Sequence, residues 1–133
     1  MVKIIIFDLD DTLVNSKMKI PRQTYHMLNK FKKLGYIIGI ITYNCLVNLV
    51  ANECNLYKYT SYLFYGDLDR NALFKKCINK ILLENPSSSN FPIYYIDDCY
   101  NNLKIVQKYY DEIITYHCKN MYKLYKLKYF ILN

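Results

Sequence analysis

Asp8, Asp10 and Asp11 stand within four positions at the end of an apolar run, IIIFDLDD. Carboxylates this close repel one another, and burying them unpaired is costly, so the fold must supply either a cation or a reaction that uses them. A second acidic pair, Asp97-Asp98, closes the run IYYIDD. Asp67 and Asp69 follow a third run, and Thr42-Tyr43-Asn44 end a fourth. A site built from oxygen donors alone suits a hard divalent ion such as Mg²⁺.

Something must carry these groups to one place. The apolar runs at 2–8, 36–42, 60–66, 93–97 and 112–117 read as five strands. The first two are nearly continuous and β-branched, as expected of parallel strands buried on both faces. Helical spacing fills the gaps. Met27, Leu28, Phe31 and Leu34 share one face, between Pro21 at the start and Gly35 at the end. Val47, Val50, Ala51 and Cys54 share a second; Leu73, Phe74, Cys77, Ile78, Ile81 and Leu82 a third; Leu103, Val106 and Tyr110 a fourth. Met121, Leu124 and Ile131 suggest one last helix. The alternation predicts an α/β fold: a Rossmann-like parallel five-stranded sheet with helices on both faces. Ligands of such sheets bind beyond the C-terminal strand ends, where the acids stand. Residues 1–133 read as one domain, with 85–92 a loop and not a linker. The N-terminal run reaches acids at once and reads as a first strand, not a signal peptide.

FDLDDTLV resembles the first motif of the haloacid dehalogenase (HAD) superfamily of phosphohydrolases, a strand followed by DxDxT. Ile40-Ile41-Thr42 resembles the second motif, and Asp97-Asp98 with Asn102 the fourth, in its DD-x-x-x-N form. The tail, TYHCKNMYKLYKLKYFI, is similar to the closing strand and helix of the magnesium-dependent phosphatase branch. The resemblance implies a phosphoric monoester hydrolase in which Asp8 is the nucleophile and forms an aspartyl-phosphate. Asp10 is then the general acid and base, and Thr42 with the following N–H holds a phosphate oxygen. It implies Mg²⁺ held by Asp8, the backbone carbonyl of Asp10 and one acid of the Asp97-Asp98 pair, with Asp98 preferred. As an i, i+2 pair, Asp8 and Asp10 share one side of an extended strand. Asp11 reads as a turn or capping residue, Asp67 or Asp69 as a helix N-cap, and Cys99 as an accident of composition.

The third motif of the family is a basic residue, usually Lys, early in the helix before the fourth strand. Lys75 and Lys76 point roughly 150° and 110° away from the apolar stripe of that helix, taking 100° per residue. Arg70 lies one turn before the 73/74 pair, on the azimuth of the stripe and at the end nearest the strand tips. Arg70 is therefore the expected cation, and its removal is expected to cost activity with little loss of stability. Residues 9–41 and 43–69 are each consumed by a helix and a strand, so no cap domain fits. Residues 12–20 make at most a short flap. An open site admits a macromolecular phosphorylated substrate, such as a phosphoprotein or a nucleic-acid end, as well as a small sugar phosphate.

Composition sets the remaining bounds. The 133 residues are 53% hydrophobic, which excludes a disordered chain. No apolar run reaches the roughly 18 residues of a membrane span. The five cysteines form no CxxC pair and read as free thiols, implying a reducing, cytoplasmic setting. The net charge of +7 admits a nucleic-acid partner. The lysines, however, are spread along the chain, and an excess of Lys, Asn, Ile and Tyr, including 16 Tyr, is what A/T-rich codons produce. Two rivals stand beside the phosphatase. One is a signalling receiver domain, with its phosphoacceptor after strand three and a Lys after strand five. The other is a HAD-like module without activity that binds a partner through a basic surface.

Overall fold

In the computed structural model, residues 3–66, 69–86 and 92–132 are described. The five strands are β1 (Ile4–Asp8), β2 (Ile37–Thr42), β3 (Tyr62–Tyr65), β4 (Ile93–Asp97) and β5 (Ile114–His117). All pair in parallel, in the order β3-β2-β1-β4-β5. The helices are α1 (Arg22–Lys33), α2 (Val47–Glu53), α3 (Arg70–Glu84), α4 (Tyr100–Tyr109) and α5 (Leu127–Leu132). This is the expected Rossmann-like arrangement. Between β1 and β2, residues 9–21 form a loop and α1 follows, with no cap domain inserted.

The period-2 alternation of β1 separates two cores. Ile5 and Phe7 pack with α1, α2 and the C-terminal segment on one face of the sheet. Ile4 and Ile6 pack with Leu73, Phe74, Cys77 and Ile81 of α3 and with Leu103 and Val106 of α4 on the other. Gly39 allows the close approach of β2 to that second face: a Cβ there would lie 2.7 Å from Ile6 Cδ1 and 2.8 Å from Cys77 Sγ. Gly35, at φ +87°, ends α1 in the left-handed conformation that only glycine adopts cheaply.

The tail departs from the expected single helix. Met121–Lys126 is a 3₁₀ helix, and α5 follows it. Met121, Leu124 and Leu127 are spaced by three, so a three-residue turn keeps all of them buried. The loop expected at 85–92 lies largely outside the described residues, as does Asp67. All five cysteines are free, and no described helix is long and apolar enough to cross a membrane.

Candidate active site

Strand order places the switch point between β1 and β4, the two strands from which successive connections leave in opposite directions. Asp8 ends β1 and Asp97 ends β4. By parity with Ile4, Ile6 and Tyr95, both carboxylates face the α3/α4 side. Asp98 stands one residue beyond. Carboxylate oxygens of Asp8, Asp97 and Asp98 lie within 4.8 Å of one another. At an effective dielectric of 20, each such pair repels by about 3 kcal/mol when charged. Arg70 enters this cluster from the first turn of α3. Its Nη1 lies 3.3 Å from Asp8 Oδ1 and donates to the Ile41 carbonyl at 3.1 Å, and its Nε lies 3.9 Å from Asp97 Oδ2. Asp69 caps α3 by accepting from the Ala72 N–H at 2.8 Å, which fixes where Arg70 begins. The guanidinium is 3% exposed as a residue and is covered by the Tyr43 ring, 4.4 Å from its centroid.

Three carboxylates and one guanidinium leave two negative charges uncompensated when all are ionised, a deficit that a divalent cation could fill. Burial and the neighbouring Asp97 carboxylate push Asp8 up to about 9, against the pull of Arg70. Burial also raises Asp98. For Arg70, burial opposes the charge, but Tyr95, Asp8 and Asp97 outweigh it and hold the guanidinium above its usual value. Its Nε is buried with no hydrogen-bond partner among the described residues.

The sequence model of the haloacid dehalogenase-like hydrolases matches residues 5–63, which contain Asp8, Asp10 and Thr42. That match covers 59 of the 133 residues, and this part of the chain is similar to the HAD-like hydrolases. No curated protein matches it. Among solved structures, it is similar to a chain from the structure of the Pnkp1/Rnl/Hen1 RNA repair complex, with a TM-score of 0.54 and 17% identity over 86% of this chain. It spans 42% of that chain.

Other placements were less legible in the sequence. β1 ends at Asp8, so Asp10 lies two residues beyond it, in the loop. Asp10 is exposed at the mouth, bridged to Val14 through the backbone, with Asn44 Nδ2 3.4 Å from its Oδ1. Its carboxylate is outside the acidic cluster. Asp11, at φ 62°, makes the turn expected of it, its N–H donating to the Val14 carbonyl. Thr42 is buried beside the site and its Oγ1 accepts from the Asn44 N–H at 3.0 Å, with no acceptor for its hydroxyl proton among the described residues. Lys75 and Lys76 are exposed.

Three contributors had no assigned role. Thr12 is fully buried, and its single hydroxyl proton lies between Asp8 Oδ2 at 3.3 Å and Asp98 Oδ1 at 3.4 Å. Tyr95 donates to Asp97 from two residues back on the same strand face, a relation that period-2 reading from Asp97 would have found. His117 Nε2 lies 2.9 Å from the Asp98 carbonyl, which can only accept, so that nitrogen carries the proton. The receiver-domain alternative fails on topology, since that fold orders its strands 2-1-3-4-5 and here β1 lies between β2 and β4.

Proposed function

We propose that this chain is a Mg²⁺-dependent phosphomonoester hydrolase working through an aspartyl-phosphate on Asp8. One observation carries the reading: Asp8 is a buried carboxylate, facing Arg70, in a cluster of acids that Arg70 alone pairs with among the described residues. The donor set, oxygen only, fits Mg²⁺. Asp8, Asp98 and the backbone carbonyl of Asp10 would hold the ion, with Asp97 behind them. The ion supplies positive charge that returns Asp8 to its ionised form and offsets charge on the phosphoryl oxygens.

An Asp8 oxygen attacks phosphorus, and the bond from phosphorus to the leaving oxygen breaks. Asp10, at the open mouth, gives that oxygen its proton. Water then attacks the phosphorus of the aspartyl-phosphate, the P–O bond to Asp8 breaks, and Asp10 takes the water proton. Arg70 holds Asp8 in place and faces the phosphoryl oxygens. Thr42, through its hydroxyl proton, and the Tyr43 N–H donate to a phosphoryl oxygen.

A cap-free mouth supports a macromolecular substrate, and the likeness in fold to a chain of an RNA repair complex is in keeping with one. Hydrolysis of p-nitrophenyl phosphate with Mg²⁺, and its loss with chelator and in Asp8→Asn, tests the reaction. Full activity of Asp8→Asn would overturn it. A panel of phosphopeptides, nucleotides, sugar phosphates and phosphorylated DNA ends then selects the substrate class.

A further inference from the structure

The lysines, spread in the sequence, are not spread around the site. The segment KNMYKLYKL (119–127) has a period of three, and the 3₁₀ helix Met121–Lys126 sorts it into faces. Met121, Leu124 and Leu127 go to the core. Lys123 and Lys126 fall one above the other on a solvent face, about 6 Å apart along an axis rising about 2 Å per residue. Lys119, exposed just before the helix, extends the row towards the acids.

Two cavities follow this row. One, about 540 Å³, opens beside Asp98 and is lined by Asn15, Lys119 and Tyr122 among others. The second, about 210 Å³, shares Lys119 and Asn120 with the first and continues past Lys123 and Lys126. Charge changes along the way. Asp11 and Asp98 line the near end, whereas the far cavity is lined by three lysines and, among the described residues, no acid. Tyr122 stands between, 57% exposed. Its hydroxyl accepts from Asn15 Nδ2 at 3.2 Å and its N–H donates to Asn120 Oδ1 at 2.9 Å, so the ring is held while its face remains open.

We propose that this trough binds a single-stranded nucleic acid, with its terminal phosphate directed to Asp8, its next base against Tyr122 and its following phosphates along Lys119, Lys123 and Lys126. The assignment rests on the phosphatase reading of the site. It names a strand and not a phosphopeptide because a row of three cations leading away from the reacting end matches an anion that repeats. A phosphopeptide concentrates its charge at the reacting end. An exposed, anchored aromatic ring beside lysines is also the usual platform for an unstacked base.

The test is fluorescence anisotropy with labelled eight-nucleotide single strands bearing a 5′- or a 3′-phosphate, titrated at several salt concentrations. Lys119→Ala/Lys123→Ala/Lys126→Ala should weaken binding at least tenfold and reduce the slope of log affinity against log salt by about 2, since each phosphate contact contributes about 0.7. Tyr122→Ala should weaken it by roughly tenfold, with less effect on the slope. Lys30→Ala/Lys33→Ala, late in α1, should leave both unchanged. An unchanged slope in the triple variant overturns the proposal. So does a phosphopeptide that binds as tightly and depends equally on the three lysines. p-Nitrophenyl phosphate, too small to reach the trough, is assayed in parallel with the wild-type protein. Lysine-dependent strand binding without its hydrolysis would retain the trough as a strand-binding surface and remove the phosphatase reading. Hydrolysis without lysine-dependent binding would do the reverse.

Discussion

The ends of β1 and β4 each present a buried acid followed by a more open one, and the two buried acids are treated in opposite ways. Asp97, fully buried, accepts from the Tyr95 hydroxyl, from the Cys99 N–H at 2.9 Å and from Asn102 Nδ2 at 3.1 Å. Asp8, 5% exposed, has Arg70 at 3.3 Å and half a claim on the Thr12 hydroxyl, also at 3.3 Å. A carboxylate held by several good donors is satisfied and inert. One with long, shared contacts keeps lone pairs for another partner. The comparison supports the proposed roles, Asp97 as scaffold and Asp8 as nucleophile, although both end a strand on the same face.

Exchanging each acid for its amide is the sharpest way to break that contrast. Asp8→Asn should remove turnover entirely while leaving the metal-free fold intact, because the folded environment already disfavours charge there. Asp97→Asn should do the opposite first, weakening charge-assisted bonds in the core at a cost of roughly 3 kcal/mol, read as a Tm lower by about 10 °C. Equal loss of stability in the two variants would make the two acids equivalent and remove the basis for choosing Asp8.

Arg70 joins the two acids, and its burial changes an expectation. A cation at an open mouth would be removed with little loss of stability. At 3% exposure, between Asp8 and Asp97, its loss leaves both a void and uncompensated acids. Arg70→Ala should therefore lower kcat/KM strongly and also destabilise by about 3 kcal/mol, whereas Lys75→Ala and Lys76→Ala should do neither. Thermal melts alongside kinetics check both parts. A variant that loses activity at unchanged Tm would mean that Arg70 is less tightly built into the core than its contacts indicate.

At the mouth, Asp10→Asn should cost roughly 10²–10⁴-fold in turnover of an alkyl phosphate and less in phosphoenzyme formation from p-nitrophenyl phosphate, whose leaving group needs little protonation. Equal losses for both substrates would reduce Asp10 to a structural residue, the role its hydrogen bond to Asn44 alone would support.

What the sequence disclosed follows from the same geometry. Parallel strands buried on both faces have to be unbroken apolar runs, so the sheet and its acidic edge were legible. Arg70 was legible as a position because helical azimuth depends only on spacing. The ranking of Asp97 and Asp98 rested on family habit alone, because residue types do not reveal which acid is the last on the strand or that Tyr95 lies beneath it. Asp10 lies past the end of β1, where the i, i+2 relation by itself no longer fixes the direction of a side chain. The lysine row was hidden because spacing by three becomes a face only once the local turn is known to be 3₁₀.

The mildest test of the Asp8–Asp97 contrast is pH. Asp8 has an ordinary value of 3.8 and about 9 in the folded, metal-free site. Between those values the native state binds more protons than the unfolded chain, so this group makes metal-free stability fall as pH rises, with the full cost reached above about 9. Mg²⁺ competes with that proton. Bound at 100 times its Kd it stabilises by about 2.7 kcal/mol, but at low pH the apparent Kd is weakened by the need to deprotonate Asp8. The Tm gained at one fixed Mg²⁺ concentration should therefore be larger at pH 8.5 than at pH 6. In Asp8→Asn that pH dependence should shrink, because the competing proton is gone. A gain independent of pH in the wild-type protein would show that Asp8 is already ionised without metal, and Asp8 would then be as well satisfied as Asp97.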